Sequence, residues 1–142
     1  MPNPPHPNIK FAVIGADRHM VDAVIQHICT YARQYIDTPA TIGHVELVLS
    51  EIFTNILTHG VTEGQEIAIY VEWWCDGAGF QARIWDDGEM FDYVAPDGPV
   101  KRISKNSIPE NGWGLKIIHH LTRSFEITRE DALNKTSVII DT

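Results

Sequence analysis

A chain of 142 residues with 44% hydrophobic and 21% charged residues has the size and composition of one compact soluble domain. Its formal net charge of −8 argues against a nucleic-acid-binding protein, which needs a basic surface, and against binding to an anionic membrane. The two cysteines, Cys29 and Cys75, are too few for a disulfide framework and are expected to be small buried hydrophobic residues.

The first residues are rich in proline and lack the charged and apolar regions of a signal peptide. We expect residues 1–9 to form a flexible tail and residues 10–142 to form a single domain. We also expect no segment long and apolar enough to span a bilayer. The expected location is therefore the cytoplasm.

The first half of the domain is predicted to contain one strand and two helices. The apolar run at 9–16 predicts the strand. Apolar residues at helical spacing predict a first helix over about 18–36, with Asp17 as its N-cap. A second helix is predicted over about 39–58. It should begin at Pro39, because proline is favoured at the first position of a helix.

The second half is predicted to contain two β-hairpins, separated by a long loop and a short helix. A loop of about 20 residues is unusual in a compact domain and often forms a functional lid. The order of the elements predicts an α/β protein of the α+β two-layer sandwich type, in which helices cover one face of a mixed, mainly antiparallel sheet. The predicted ranges are 66–75 and 80–86 for the first hairpin, 92–111 for the loop, 114–122 for the helix, and 124–130 and 136–142 for the second hairpin.

The second predicted helix carries a polar stripe beside its apolar one. Glu51, Asn55 and His59 follow one another at intervals of four residues, so their side chains lie along one face of the helix. A solvated face would also produce a polar stripe. Charged and flexible residues would be expected there, however, and asparagine and histidine fit a binding site better.

The segment "IWDDGEMFD" at 84–92 contains the predicted end of a strand, at Asp86. Gly88 allows the backbone to turn sharply or to approach a ligand closely. One interpretation is an acidic turn after an edge strand. The other is a buried acceptor at Asp86 for an amine, with Gly88 making room for a flat ligand.

The segment "NGWGLKII" at 111–118 places Gly112 and Gly114 directly before a helix. Free backbone N–H groups at the start of a helix bind anions such as phosphate. The complete Rossmann and Walker patterns are absent. If phosphate binds here, the fold belongs to neither of those classes.

Taken in order, E-x3-N-x3-H on a helix, D-x-G after a strand and G-x-G-L at the start of a helix resemble the GHKL (Bergerat-fold) ATPase superfamily. The short single-domain length and the segment "SEIFTNILTHG" look most like those of the bacterial anti-sigma-factor serine kinases. The resemblance covers roughly residues 10–140. Met90 stands where the adenine motif of that superfamily usually has a second glycine, and Phe91 agrees with the family pattern.

The resemblance implies a role for each matching position. Asn55 would hold Mg²⁺ through its side-chain oxygen, which suits a hard cation that also binds the ATP phosphates. Glu51 would be the base or the orienting group for the attacking hydroxyl. Asp86 would accept a hydrogen bond from the exocyclic amine of adenine. The remaining implied nucleotide contacts are His59, Gly88, Phe91, Gly112, Gly114, Leu115 and Thr136.

Lys101, Arg102 and Lys105 lie in the predicted loop of this acidic chain. They would face the phosphates if the loop is a lid. Ordinary loop solubility explains them equally well.

The function implied by the resemblance is that of a Mg-ATP-dependent serine/threonine protein kinase that acts as an anti-sigma factor. Such a protein phosphorylates a serine on an anti-sigma-factor antagonist and sequesters a sigma factor, and a homodimer is expected. Two other functions stay open: a non-catalytic ATP-binding module that sequesters a partner, and a detached histidine-kinase catalytic domain. Glu51 favours catalysis, because a pure binding protein needs no carboxylate one turn from the metal ligand.

Overall fold

The computed structural model describes residues 11–14, 17–59, 66–89 and 112–142. The predicted tail at 1–9 and the predicted loop at 92–111 lie outside these ranges. The elements follow the predicted order. They are β1 (Phe11–Ile14), α1 (Arg18–Ala32), α2 (Pro39–His59), β2 (Ala68–Asp76), β3 (Gly79–Asp86), α3 (Gly112–Leu121), β4 (Ser124–Glu130) and β5 (Leu133–Ile140).

The strands form one five-stranded sheet in the order β1-β2-β3-β5-β4. Each of its four described pairings is antiparallel. Alternate side chains of the central strands, such as Val71, Ile84 and Val138, join the residues of the helices in one hydrophobic core. This arrangement confirms the predicted α+β fold, with helices packed on one face of an antiparallel sheet.

Helix α1 begins as predicted and ends earlier than predicted. The Asp17 Oδ1 accepts a hydrogen bond from the Met20 N–H at 2.9 Å and caps the helix. The helix ends at Ala32, and the chain then turns through residues 33–35. Ile36 lies beyond the helix but is still buried at 6% exposure. The helical spacing that predicted a longer helix ran to Tyr35, which lies in this turn and is 59% exposed.

Helix α2 is the central helix of the domain and packs against both α1 and α3. It begins at Pro39, as predicted. Over Pro39–Thr58 it is long and apolar enough to cross a membrane by length and composition alone, so the expectation that no segment meets this test is wrong. Most of its large apolar side chains lie in the core, where Val45, Val48 and Leu49 are fully buried, whereas Leu47 is 41% exposed.

The closing hairpin has a two-residue turn at Asp131 and Ala132, whose φ angles are 49° and 64°. Such left-handed conformations are typical of the tight turns that join antiparallel strands. Strand β5 therefore begins at Leu133, three residues before the predicted start. The earlier start extends the pairing of β3 with β5 to Asn134, which lies opposite Asp86.

Both cysteines are free thiols. Cys29 lies on α1 and is buried in the hydrophobic core, and Cys75 is half-buried near the end of β2. Burial raises the pKa of both thiols.

Candidate functional site

A cleft lies between helix α2 and the sheet, where β3 ends. Asn55 faces it from α2, Asp86 from the last position of β3, and Thr136 from β5. Three residues that the sequence analysis singled out from distant segments therefore lie around one space. The residues that line it are Ile52, Asn55, Ile56, Asp86, Glu89, Phe125, Ile127, Asn134 and Thr136.

The surface exposed inside the cleft is mainly apolar, although five of its nine described lining residues are polar. Ile52 and Ile56 come from α2, and Phe125 and Ile127 come from β4. An apolar slot with a small number of fixed polar groups is typical of sites for flat organic ligands. The space open to the centre of a water molecule is about 20 Å³, so a purine ring enters only if the lining side chains move apart.

Asp86 is the most deeply buried acid of the cleft, with 2% of its surface exposed. Its Oδ1 accepts hydrogen bonds from the Asn134 Nδ2 at 2.9 Å and from the Gly88 N–H at 3.0 Å. Desolvation raises the pKa of this carboxyl from 3.8 to about 6, although both hydrogen bonds act to lower it. At neutral pH the group is thus an ionised, buried acceptor.

Asn134 is a buried member of the site that the sequence analysis missed. Besides Asp86, its Nδ2 donates to the Glu89 carbonyl at 2.7 Å. Its Oδ1 accepts from the Arg129 Nη1 at 3.0 Å. The sequence analysis did not recognise the two-residue turn before Leu133. This turn starts β5 early enough for Asn134 to lie inside the strand rather than in a loop.

Glu51 and Gly114 meet where α2 approaches the first turn of α3. A Cβ atom built on Gly114 would overlap the Glu51 Oε2 and lie 3.4 Å from the Glu51 Cδ. The absence of a side chain at 114 therefore lets the Glu51 carboxylate approach the start of α3. This start is also where the free N–H groups of the helix are available to an anion.

The other predicted residues have varied positions. The Gly88 N–H bonds Asp86, and its carbonyl accepts from the Arg129 Nη1 at 3.0 Å. Leu115 lies in the hydrophobic core at 6% exposure, and its role as a nucleotide contact stays a prediction. Gly112 is the first residue of α3. The predictions for Phe91, Lys101, Arg102 and Lys105, and for the side chain of His59, lie outside the described part of the chain.

The residues of the cleft fit the ligands that the sequence predicts. A carboxylate at the bottom of an apolar slot suits an exocyclic amine on a flat ring. Among the described residues no three His, Cys, Asp or Glu side chains lie together as a metal site. A Mg²⁺ ion here would be held by Asn55 and by the oxygens of the ligand, because this cation usually takes few ligands from the protein and the rest from phosphates and water.

Comparison with known protein families identifies the class. The family of histidine kinase-like ATPase domains matches residues 14–140. The chain belongs to that family, and it is accordingly a domain of the histidine kinase-like ATPase type. Comparison with curated proteins gives no match.

A solved structure with the same fold is the blue-light activated histidine kinase EL346 of Erythrobacter litoralis. The two share 16% sequence identity with a TM-score of 0.53. The similarity covers 84% of this chain and 41% of that kinase. At this identity the likeness shows the fold alone, and this chain spans less than half the length of the larger protein.

Proposed function

We propose that this protein is a Mg-ATP-dependent serine/threonine protein kinase that acts as an anti-sigma factor. The observation that carries the proposal is the convergence of Asn55 and Asp86 on one apolar cleft. Asp86 binds the adenine amine and Asn55 holds the metal. Glu51 lies one turn before Asn55, against the start of α3 where the phosphates are expected.

The residues of the chain divide the reaction between positioning and proton transfer. The oxygen of a serine hydroxyl attacks the γ-phosphorus, the bond from that phosphorus to the bridging oxygen breaks, and ADP leaves. Glu51 orients the hydroxyl and accepts its proton. When bound, Mg²⁺ supplies charge neutralisation between the phosphates. The N–H groups at the start of α3 complement the remaining negative charge.

The proposed partners are an anti-sigma-factor antagonist, which is the phosphorylated substrate, and a sigma factor, which the protein sequesters. The support for these partners is the resemblance of the sequence to the anti-sigma-factor kinases. The same resemblance supports a homodimer. Light scattering at micromolar concentration tests the dimer, and a monomer would contradict it.

A transfer experiment separates this function from the alternatives. The protein is incubated with Mg²⁺, γ-labelled ATP and a panel of candidate antagonist proteins. We expect label on a serine of one antagonist and its loss in Glu51→Gln, which keeps nucleotide binding. Glu46→Gln is the matched control, because Glu46 lies on the same helix and is exposed.

The stability of the product identifies the acceptor. Phosphoserine survives acid, and phosphohistidine does not. Label that is lost in acid would favour a detached histidine-kinase catalytic domain. ATP binding without transfer under any condition would favour a non-catalytic module that sequesters its partner.

A further inference from the structure

We propose that Asn134 and Arg129 are positioning residues that hold the Asp86 carboxylate in the geometry that selects a 6-amino purine. The inference rests on the proposed nucleotide-binding function of the same cleft. It concerns two residues of the closing hairpin that the motifs in the sequence do not include. Both act through Asp86 and the turn that follows it.

The Asn134 amide uses all its donors and its acceptor in the site. This side chain is buried at 3% exposure, and an amide of this kind has two N–H donors and one acceptor oxygen. One donor serves the Asp86 Oδ1 at 2.9 Å, and the other serves the Glu89 carbonyl at 2.7 Å. The oxygen accepts from Arg129. A buried amide with every group paired has one defined orientation.

Arg129 determines which way the amide faces. A guanidinium group can only donate hydrogen bonds, so the atom of Asn134 that it contacts at 3.0 Å must be the oxygen. The nitrogen of the amide is thereby directed to Asp86. Arg129 also donates to the Gly88 carbonyl at 3.0 Å. Its positive charge acts to lower the pKa of Asp86, which helps to keep that carboxyl ionised.

The Asp86 carboxylate has two oxygens, and its hydrogen bonds to the protein indicate which of them a ligand would contact. The two donors that the described residues offer to Asp86 both reach Oδ1, and in this proposal the ligand binds Oδ2. An ionised carboxylate only accepts hydrogen bonds. It therefore attracts the 6-amino group of adenine and repels the 6-oxo group of hypoxanthine. The contact of Asn134 with the Glu89 carbonyl and that of Arg129 with the Gly88 carbonyl also fix the path of the chain as it leaves β3.

The test compares ATP with inosine triphosphate, whose base carries the 6-oxo group in place of the amine. Calorimetric titration measures both affinities in the presence of Mg²⁺ for the wild type, Asn134→Leu and Arg129→Met. Asn134→Leu removes both donors at nearly constant volume. A hydrogen bond to a charged group contributes about 1.5–3 kcal/mol, so we expect the preference for ATP to fall between about tenfold and a hundredfold. The affinity for inosine triphosphate is expected to change little.

The controls separate positioning from folding. Ser137→Ala lies on the same strand, on the opposite face, and should leave the preference unchanged. Arg129 is exposed, so Arg129→Met is expected to fold even if Asn134→Leu does not. Arg129→Lys should recover part of the preference, because one donor and the charge remain. In Arg129→Met the pH midpoint of ATP binding should also rise, because a cation near Asp86 is lost.

Each outcome has a defined meaning. Folded variants that keep the wild-type preference and pH midpoint would overturn the inference and leave the proposed function standing. A wild-type protein that binds neither nucleotide would overturn the proposed function, and this inference with it.

Discussion

The contact between Glu51 and Gly114 allows catalysis to be perturbed without unfolding the protein. In Gly114→Ala the new Cβ would overlap the Glu51 Oε2, so the carboxylate must move. The overlapped atom is the end of a flexible side chain. Alanine is also favoured over glycine within a helix by about 1 kcal/mol, which offsets the cost of moving it. Stability is therefore expected to stay within about 1 kcal/mol of the wild type.

The effect on phosphoryl transfer should be much larger. Relieving the overlap requires the carboxylate to move by roughly 1 Å, and a misplacement of about that size costs on the order of a hundredfold in rate. Single-turnover transfer from labelled ATP measures this rate, thermal unfolding measures stability, and calorimetry measures nucleotide affinity. We expect the rate to fall while the other two quantities hold.

Gly43→Ala is the matched control, because Gly43 lies in helix α2 and a Cβ there meets nothing within 4 Å. It should leave transfer and nucleotide affinity nearly unchanged and raise stability by up to about 1 kcal/mol, because alanine is favoured over glycine within a helix. Unchanged transfer in a folded Gly114→Ala would refute the assignment of Glu51 as the base or orienting group. An equal loss of nucleotide affinity would show that Gly114 acts on the phosphates instead.

Four further predictions concern Asp86, Asn55 and a turn glycine. The pKa of Asp86 is about 6, so its carboxylate becomes protonated between pH 7.5 and pH 5. Over this range the ATP affinity of the wild type should fall about tenfold more than that of Asp86→Asn, because protonation of the phosphates affects both proteins equally. Equal falls in both proteins, measured by calorimetry, would contradict this. The pKa of the Asp86 carboxyl rises from 3.8 to about 6 on folding, so its ionised form destabilises the folded state above that pH range. Asp86→Asn should therefore raise the free energy of unfolding at pH 7.5 by up to about 3 kcal/mol. Urea titrations should show no difference between the two proteins below about pH 4. Asn55→Ala should abolish the part of ATP affinity that depends on Mg²⁺, which titrations with and without the metal measure, and an unchanged dependence would argue against Asn55 as its ligand. Gly79→Ala should destabilise the fold by more than about 1 kcal/mol in urea, because the φ of Gly79 is 117° and a Cβ there overlaps the Ile140 carbonyl, whereas Gly77→Ala meets nothing within 4 Å and should not.

The sequence predicted the order and type of the elements because their hydrophobic periods are strong. Its errors fall at the boundaries of the elements. Helix α1 was predicted too long because Tyr35 continues the helical spacing of the sequence, although it lies in the turn after the helix and is exposed. Strand β5 was predicted too short because Asp131 and Ala132 form a tight turn without the glycine or asparagine that usually marks one.

The candidate site was predicted only where its residues belong to a motif in the sequence. Asn55 and Asp86 occur in recognisable motifs, and the structure places both on one cleft. Asn134 and Arg129 belong to no motif, and their contacts with the end of β3 join residues more than 40 positions apart in the chain. Contacts across that distance depend on how the strands pair. Because β5 was predicted to start after Asn134, the sequence did not predict that Asn134 lies opposite Asp86.

Titration of the protein with Mg-ATP at pH 7.5, beside Asp86→Asn, tests the central claim most directly. The account predicts one nucleotide bound per chain, with an affinity that Asp86→Asn lowers by about tenfold or more, because a hydrogen bond to a buried charge is lost. No binding at millimolar nucleotide, or equal affinity in the variant, would contradict it.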